Sequence, residues 1–159
     1  MSHEIYKSLF ENDFIKRSLR GSINKPDIVL TELVANAWDA GATEVHITLP
    51  NKIGRKLSVS DNGEGMTKEE FQNRWMVLRY NRTEHQGNKI TLTSNNVFDR
   101  KTYGRNGVGR HGLFCFNDSY EVETAKDGTK VVFRISINKE DEPFIAEEIS
   151  SEASKNHGT

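Results

Sequence analysis

Apolar and polar residues alternate with two distinct periods along this chain, and the changes of period mark out its elements. Residues 4–20 place Ile5, Leu9, Phe10 and Phe14 on one side of a helix, which Gly21 ends. From Pro26, suited to a first helical turn, to Gly41, suited to a left-handed cap, Val29, Leu33, Ala37 and Ala40 form an apolar stripe. The opposite stripe holds Glu32, Asn36 and Asp39 at i, i+4 and i+7, so one carboxamide and two carboxylates look out of one face. By itself that stripe reads equally as a solvated polar face. The period then drops to two: residues 44–49 and 56–60 read as strands, with Val45, Ile47, Leu49, Leu57 and Val59 on one side and a short connection that implies an antiparallel hairpin.

Thr67-Lys68-Glu69-Glu70 is a capping box that starts a helix carrying Phe71, Trp75 and Leu78. Residues 79–103 lose apolar periodicity and are rich in Asn, Thr, Arg and Lys, a length without elements that is unusual inside a compact domain unless it serves as a functional lid. Residues 120–125 and 130–137 alternate about Asp127-Gly128, a hairpin signature. After Ile137 the chain turns acidic and serine-rich and reaches His157-Gly158-Thr159.

Composition narrows the class. At 159 residues with 35% hydrophobic content, the chain forms one domain over 1–159 with a single core. The lone Cys115 excludes an intrachain disulfide framework and a cysteine zinc cluster. A net charge of -1 gives no global attraction to nucleic acid. No secretory or membrane-length apolar run is present, so a cytoplasmic protein without a membrane span is expected. His46, His85, His111 and His157 have no spacing that would gather a metal, and each reads as an ordinary structural or surface histidine.

Two glycine-bearing segments carry the remaining chemistry. Leu57-Ser58-Val59-Ser60-Asp61-Asn62-Gly63-Glu64-Gly65-Met66 is a half-buried strand that ends in an acid followed by glycines at alternate positions, where backbone must come close to something. Gly104-Arg105-Asn106-Gly107-Val108-Gly109-Arg110-His111-Gly112 packs four glycines into nine residues before the apolar Leu113-Phe114-Cys115-Phe116, and a glycine loop opening a helix is an anion site. The run Gly107-x-Gly109-x-x-Gly112 also spells a dinucleotide fingerprint, but the polar Phe98–Tyr103 stretch ahead of it is not the strand that such a turn requires.

Taken in order, these three segments resemble the N, G1 and G2 boxes of the GHKL superfamily of ATPases, which includes gyrase B, the ninety-kilodalton heat-shock chaperones, sensor histidine kinases, MutL and microrchidia-type ATPases. The match spans roughly residues 26–116. The resemblance implies an α+β fold, a two-layer α/β sandwich with helices on one face of a mixed, mainly antiparallel sheet, known as the Bergerat fold. It also implies that 79–103 is the ATP lid, that Gly158-Thr159 opens a further core strand whose Thr159 helps hold adenine, and that the domain is cut within that G3 element.

Under this resemblance Mg-ATP is the ligand and slow ATP hydrolysis driving a conformational switch is the function. Asp61 accepts from the adenine amino group, Gly63 and Gly65 let the purine lie against the backbone, and Met66 supplies an apolar wall. Asn36 offers a neutral oxygen to Mg²⁺, and Glu32, one turn away, orients and deprotonates the attacking water. Asp39 braces the site by hydrogen bonds, and Ala40 belongs with it to the nucleotide-binding residues. Gly104, Gly107, Val108, Gly109, Arg110, His111 and Gly112 form the phosphate loop. The family further implies a nucleotide-dependent homodimer in a longer protein, acting on a nucleic-acid or protein client. The alternatives are a regulatory module that binds ATP without turnover and a histidine protein kinase. Against the kinase, Ser2-His3-Glu4-Ile5 is followed by Tyr6-Lys7-Ser8-Leu9, which departs from a phosphoacceptor box.

Overall fold

The computed structural model describes residue 17 and residues 25–78, 80–87, 89–91, 99–103, 109–138 and 142–159. The expected helix over 4–20 lies outside these residues except for Arg17, which is helical, and Gly104, Gly107 and Val108 of the glycine loop also lie outside them.

Helix α1 runs Pro26–Asp39, with proline in its first turn. It ends as its sequence dictates. Gly41 takes φ +83°, the Gly41 amide donates to the Trp38 carbonyl at 3.1 Å, and the Ala42 amide donates to Ala37 at 3.0 Å. This is the double closure of a Schellman motif, sealed by the buried Ala37 and Ala42. Strands β1 (Val45–Thr48) and β2 (Ser58–Asp61) pair antiparallel with Ile47 opposite Val59. Ile47 and Leu49 remain largely exposed rather than buried, because the hairpin stands as a two-stranded ladder of its own.

The Thr67 hydroxyl accepts from the Glu70 amide and Glu70 accepts from the Thr67 amide, the expected capping box. Helix α2 (Lys68–Glu70) widens at once into a π-helical turn, Phe71–Trp75. The turn lays the Phe71 ring flat on Phe133 with centroids 3.9 Å apart. The polar region that follows is more structured than its composition suggests. Helix α3 (Arg82–Gln86) and the short ladder of β3 (Lys89–Thr91) and β4 (Asp99–Lys101) occupy it, each too brief and polar to leave a periodic signal. The centre of the expected lid, 92–98, lies outside the described residues. The C-terminal end of this region is fastened to the end of α1: the Trp38 indole donates to the Lys101 carbonyl at 3.0 Å, and the Arg100 guanidinium lies 4.1 Å from the Trp38 ring while donating to Ala42 O.

The end of the glycine segment and the apolar residues after it form a helix as expected, of the 3₁₀ kind, Gly109–Cys115. It packs on α1 at backbone range, since a Cβ on Gly112 would stand 2.8 Å from Val29 Cγ2. Strands β5 (Ser119–Lys126) and β6 (Thr129–Ile137) form the expected hairpin, with Asp127 and Gly128 both at positive φ as a two-residue turn of this twist needs. The acidic, serine-rich tail contains an element that its pattern hid: β7 (Phe144–Ala153) pairs along the far edge of β6. Only Phe144 of this strand is buried, and Glu147, Glu148 and Glu152 keep the outer strand soluble.

Val122, Val131, Phe133, Ile135 and Phe144 of this sheet meet Phe71 and Phe114 in one core, with the helical elements on that face. The fold is α+β, and every strand pair among the described residues is antiparallel. Among the described residues, the last two bridge the backbones of the two larger ladders. Gly158 exchanges both backbone bonds with Ala125 (2.9 and 3.1 Å), and the Asp61 amide donates to Thr159 O at 2.7 Å. Beyond that bridge, β2 and β5 flank an open cleft of about 1420 Å³.

Candidate functional site

The cleft takes in Asn36, Asp39 and Ala40 from α1, Asp61, Gly65 and Met66 from the end of β2, and Thr159. Three segments far apart in sequence thus converge on one end of one cavity. Asn36 is half-buried, whereas Asp39 is only 7% exposed and its Oδ1 accepts the Tyr103 amide at 2.8 Å, so it holds the chain immediately ahead of the glycine loop. Glu32 is half-buried outside the cleft lining, beneath Gly109. A Cβ on Gly109 would stand 2.5 Å from Glu32 Cβ and 2.6 Å from its Cγ, so only glycine lets this strand of backbone rest on the glutamate.

Asp61 is fixed by its own turn. Its Oδ1 accepts the Gly63 amide at 2.8 Å. Asn62 turns outward, where Oδ1 accepts the amides of Thr43 and Glu44 and ties the turn to the segment after α1. The Glu64 amide donates to Ala40 O at 2.9 Å. Burial raises the Asp61 carboxyl above the usual range, opposed by backbone hydrogen bonds from Gly63 and Thr159 and by the nearby His157. Two backbone donors do not exhaust a carboxylate's acceptor capacity, so Asp61 can still accept from a ligand amino group in the cleft.

The glycines of this segment answer first to the protein's own packing. In the direction of a side chain, Gly63 faces Ala40 at 2.9 Å, while Gly65, at φ +66°, faces the carbonyls of Ala125 and Gly158. In the direction of a side chain, the protein's own atoms fill the space at both glycines. Behind Met66, the Thr124 hydroxyl accepts the Met66 amide at 2.7 Å and lies 3.1 Å from Thr159 Oγ1, with Thr124 1% exposed.

The described part of the glycine box is built for anchoring. The Arg110 guanidinium, expected near phosphate, instead donates to the carbonyls of Trp75, Arg74 and Val77 at 3.0, 2.6 and 2.6 Å. These carbonyls close the π-helical turn, where free acceptors favour a cation. Burial lowers Arg110 to about 10, and it stays charged. His111 is fully buried, with Nδ1 3.3 Å from the Tyr120 hydroxyl and its ring 4.6 Å from Phe144. Burial and the neighbouring Arg110 push it down to about 3, so it is neutral. The side chains of Arg110 and His111 therefore hold the 3₁₀ helix in place, and Gly109 rests on Glu32 of α1.

Two contributors were missed from sequence. Thr124 lies mid-strand with no box to mark it. His157 has no metal spacing to mark it, and its Nδ1 lies 2.6 Å from the Gly63 carbonyl.

An α+β domain in which a helix, an aspartate turn at a strand end and the last residues meet on one cleft offers a site for a ligand. The chain belongs to the histidine kinase-, DNA gyrase B- and HSP90-like ATPases, a family whose sequence pattern matches residues 24–159. It is 34% identical over 97 residues to a protein provisionally named type II restriction enzyme HgiDII of Herpetosiphon aurantiacus, covering 61% of this chain and 14% of the relative. It is 32% identical over 119 residues to the chaperone protein HtpG of Methylococcus capsulatus, covering 64% and 18%. With the DNA mismatch repair protein MutL of Streptococcus agalactiae it shares 36% over 85 residues, 54% and 12% of the two chains. The chain thus spans less than a fifth of the length of these curated relatives. Among the described residues, no helix is long and apolar enough to cross a membrane.

Proposed function

We propose that this domain binds Mg-ATP at the end of the cleft where α1, the Asp61 turn and Thr159 meet, and hydrolyses it slowly to drive a conformational switch. The observation that carries this reading is the convergence of Asn36, Asp39 and Ala40 with Asp61, Met66 and Thr159 on one cavity. Asp61 accepts from the adenine amino group, Met66 flanks the ring, and the Thr159 hydroxyl, held by Thr124, completes the base end. Gly63 and Gly65 serve by seating the turn. Gly104, Gly107, Val108, Gly109 and Gly112 offer backbone N–H groups to the phosphates, with Arg110 and His111 contributing through the position that they give that backbone.

The donor set suits magnesium bound with the nucleotide rather than alone. Among the described residues there is no cluster of three or more acidic, histidine or cysteine side chains. The Asn36 carboxamide lines the cleft beside the Asp61 turn and adds no charge against phosphate. When bound, Mg²⁺ neutralises phosphate charge. Glu32 orients the attacking water and accepts its proton. Its seat under Gly109, outside the cleft lining, also favours a second reading, a regulatory module that binds ATP without turnover. Glu32→Ala separates the two: loss of phosphate release supports the hydrolase, and an unchanged rate supports the binder.

Gly158 and Thr159 read as the opening of a strand between β2 and β5, joining the two ladders into one sheet. We further place the domain in a longer protein that dimerises with nucleotide and acts on a nucleic-acid or protein client. Isothermal titration tests the core of the proposal: Asp61→Asn, with the fold intact by circular dichroism, abolishes ATP binding because the amide turns a donor toward the adenine amino group. Wild-type affinity in that variant would overturn the assignment.

A further inference from the structure

His157 stands outside every motif above, yet it is bonded to the turn that carries Asp61. Its Nδ1 lies 2.6 Å from the Gly63 carbonyl, and because a carbonyl only accepts, Nδ1 carries the hydrogen. Gly63 is the same residue whose amide holds Asp61 Oδ1 at 2.8 Å. The peptides on either side of Gly63 are thus gripped from two directions, by Asp61 on one side and by the imidazole on the other. The next two residues close the grip. Gly158, at φ +120°, presses so closely on the Asp61 carbonyl that a side chain there would overlap it, and Thr159 O accepts the Asp61 amide at 2.7 Å. Three successive residues, 157–159, therefore bind Gly63 and Asp61 as a clamp. His157 is its only member that acts through a side chain, and it is exposed enough to be replaced without opening the core.

We infer that His157 is a positioning residue for nucleotide recognition: by holding the Gly63 carbonyl it fixes the rotation of the Asp61 carboxylate toward the base. This rests on the proposed ATP site and adds to it a determinant that acts through Asp61 without touching the nucleotide. The effect belongs to the base end of the cleft. Glu32, beneath Gly109 on the other side of α1's polar face, lies apart from it.

The experiment compares His157→Gln, whose carboxamide keeps an N–H donor of similar reach, with His157→Met, of similar length but with no donor. Binding of Mg-ATP is measured by isothermal titration, and steady-state phosphate release gives KM and kcat. The Met variant is expected to raise Kd and KM roughly fivefold to tenfold, the effect of one hydrogen bond, with kcat unchanged, while Gln restores both to within about twofold of wild type. Met binding as tightly as wild type, or Gln failing like Met, would overturn the inference. So would a fall in kcat with KM unchanged. A damaged fold would weaken Gln and Met alike, so the Gln rescue keeps the test independent of stability. Asp61→Asn is run alongside: if it binds ATP normally, the nucleotide site itself is wrong and the inference falls with it, whereas loss in Asp61→Asn with no effect in His157→Met refutes only the role of His157.

Discussion

Acid should unfold this domain through one imidazole. His111 is fully buried beside Phe144 and pushed down to about 3, against about 6.5 for a free histidine. The unfolded chain therefore takes up a proton near pH 6.5 that the folded chain refuses until near pH 3. Stability from this group is fully present above pH 6.5 and is lost progressively as pH falls through that window. Each pH unit costs about 1.4 kcal/mol, so at pH 5 the loss is about 2 kcal/mol, a substantial part of the roughly 5–15 kcal/mol that holds a typical domain. The matched perturbation is His111→Asn, whose carboxamide can still meet the Tyr120 hydroxyl near the Nδ1 position but does not titrate. Urea unfolding followed by tryptophan fluorescence at steps from pH 7.5 to 5 gives both curves. The variant begins less stable, through the cavity that it leaves, and the decisive quantity is the slope: wild type declines below pH 6.5 by about 1.4 kcal/mol per unit more than the variant. Every other ionisable group is common to both proteins and cancels from the difference. Parallel slopes, or a His111 ring resonance that titrates near pH 6.5, would refute the reasoning.

Other outcomes follow from the same geometry. Asn36→Ala weakens ATP binding mainly in the presence of magnesium, and equal loss in EDTA would argue against a ligand role. Gly109→Ala drives a methyl into the Glu32 side chain and cuts phosphate release roughly 10²-fold or more while ATP affinity changes little; equal loss of affinity by titration would place the damage elsewhere. Glu70→Ala removes the half of the capping box in which the Glu70 carboxylate accepts from the Thr67 amide, together with the partner of Lys126 and Arg74. It should destabilise by about 1–2 kcal/mol, and an unchanged urea midpoint would show that the cap contributes nothing.

Elements whose polar and apolar faces differ sharply were legible in the sequence: α1 with its proline start and Gly41 cap, the Thr67 capping box, and the hairpin about Asp127-Gly128. What escaped has a physical reason in each case. Strand β7 is an outer strand that buries only Phe144, so no alternation marks it. Helix α3 and the β3–β4 ladder are stabilised by contacts such as Arg100 on Trp38, distant in sequence and invisible to local pattern. Arg110 has the composition of a phosphate ligand, and only the fold reveals that three carbonyls hold it. The Asp61 glycines were legible as close approaches, but what approaches them, Ala40, Ala125 and Gly158, depends on tertiary structure. His157 acts through a single bond to a residue 94 positions away, a separation that no spacing rule spans.

The bridge at Gly158 and Thr159 has a thermodynamic consequence. The residues that seat this segment, Asp61, Gly65, Ala125 and Thr124, include those proposed to face the base, so docking of the segment and occupancy of the pocket share one set of bonds. Two equilibria with common bonds are coupled, and the coupling is reciprocal. By whatever factor nucleotide holds the segment down, the docked segment tightens nucleotide by the same factor. Displacing the segment from its seat would then lower affinity for a nucleotide bound as proposed, and loss of that nucleotide would loosen the seat, so the seam between the two ladders is where occupancy of the proposed site and docking of residues 157–159 report on each other.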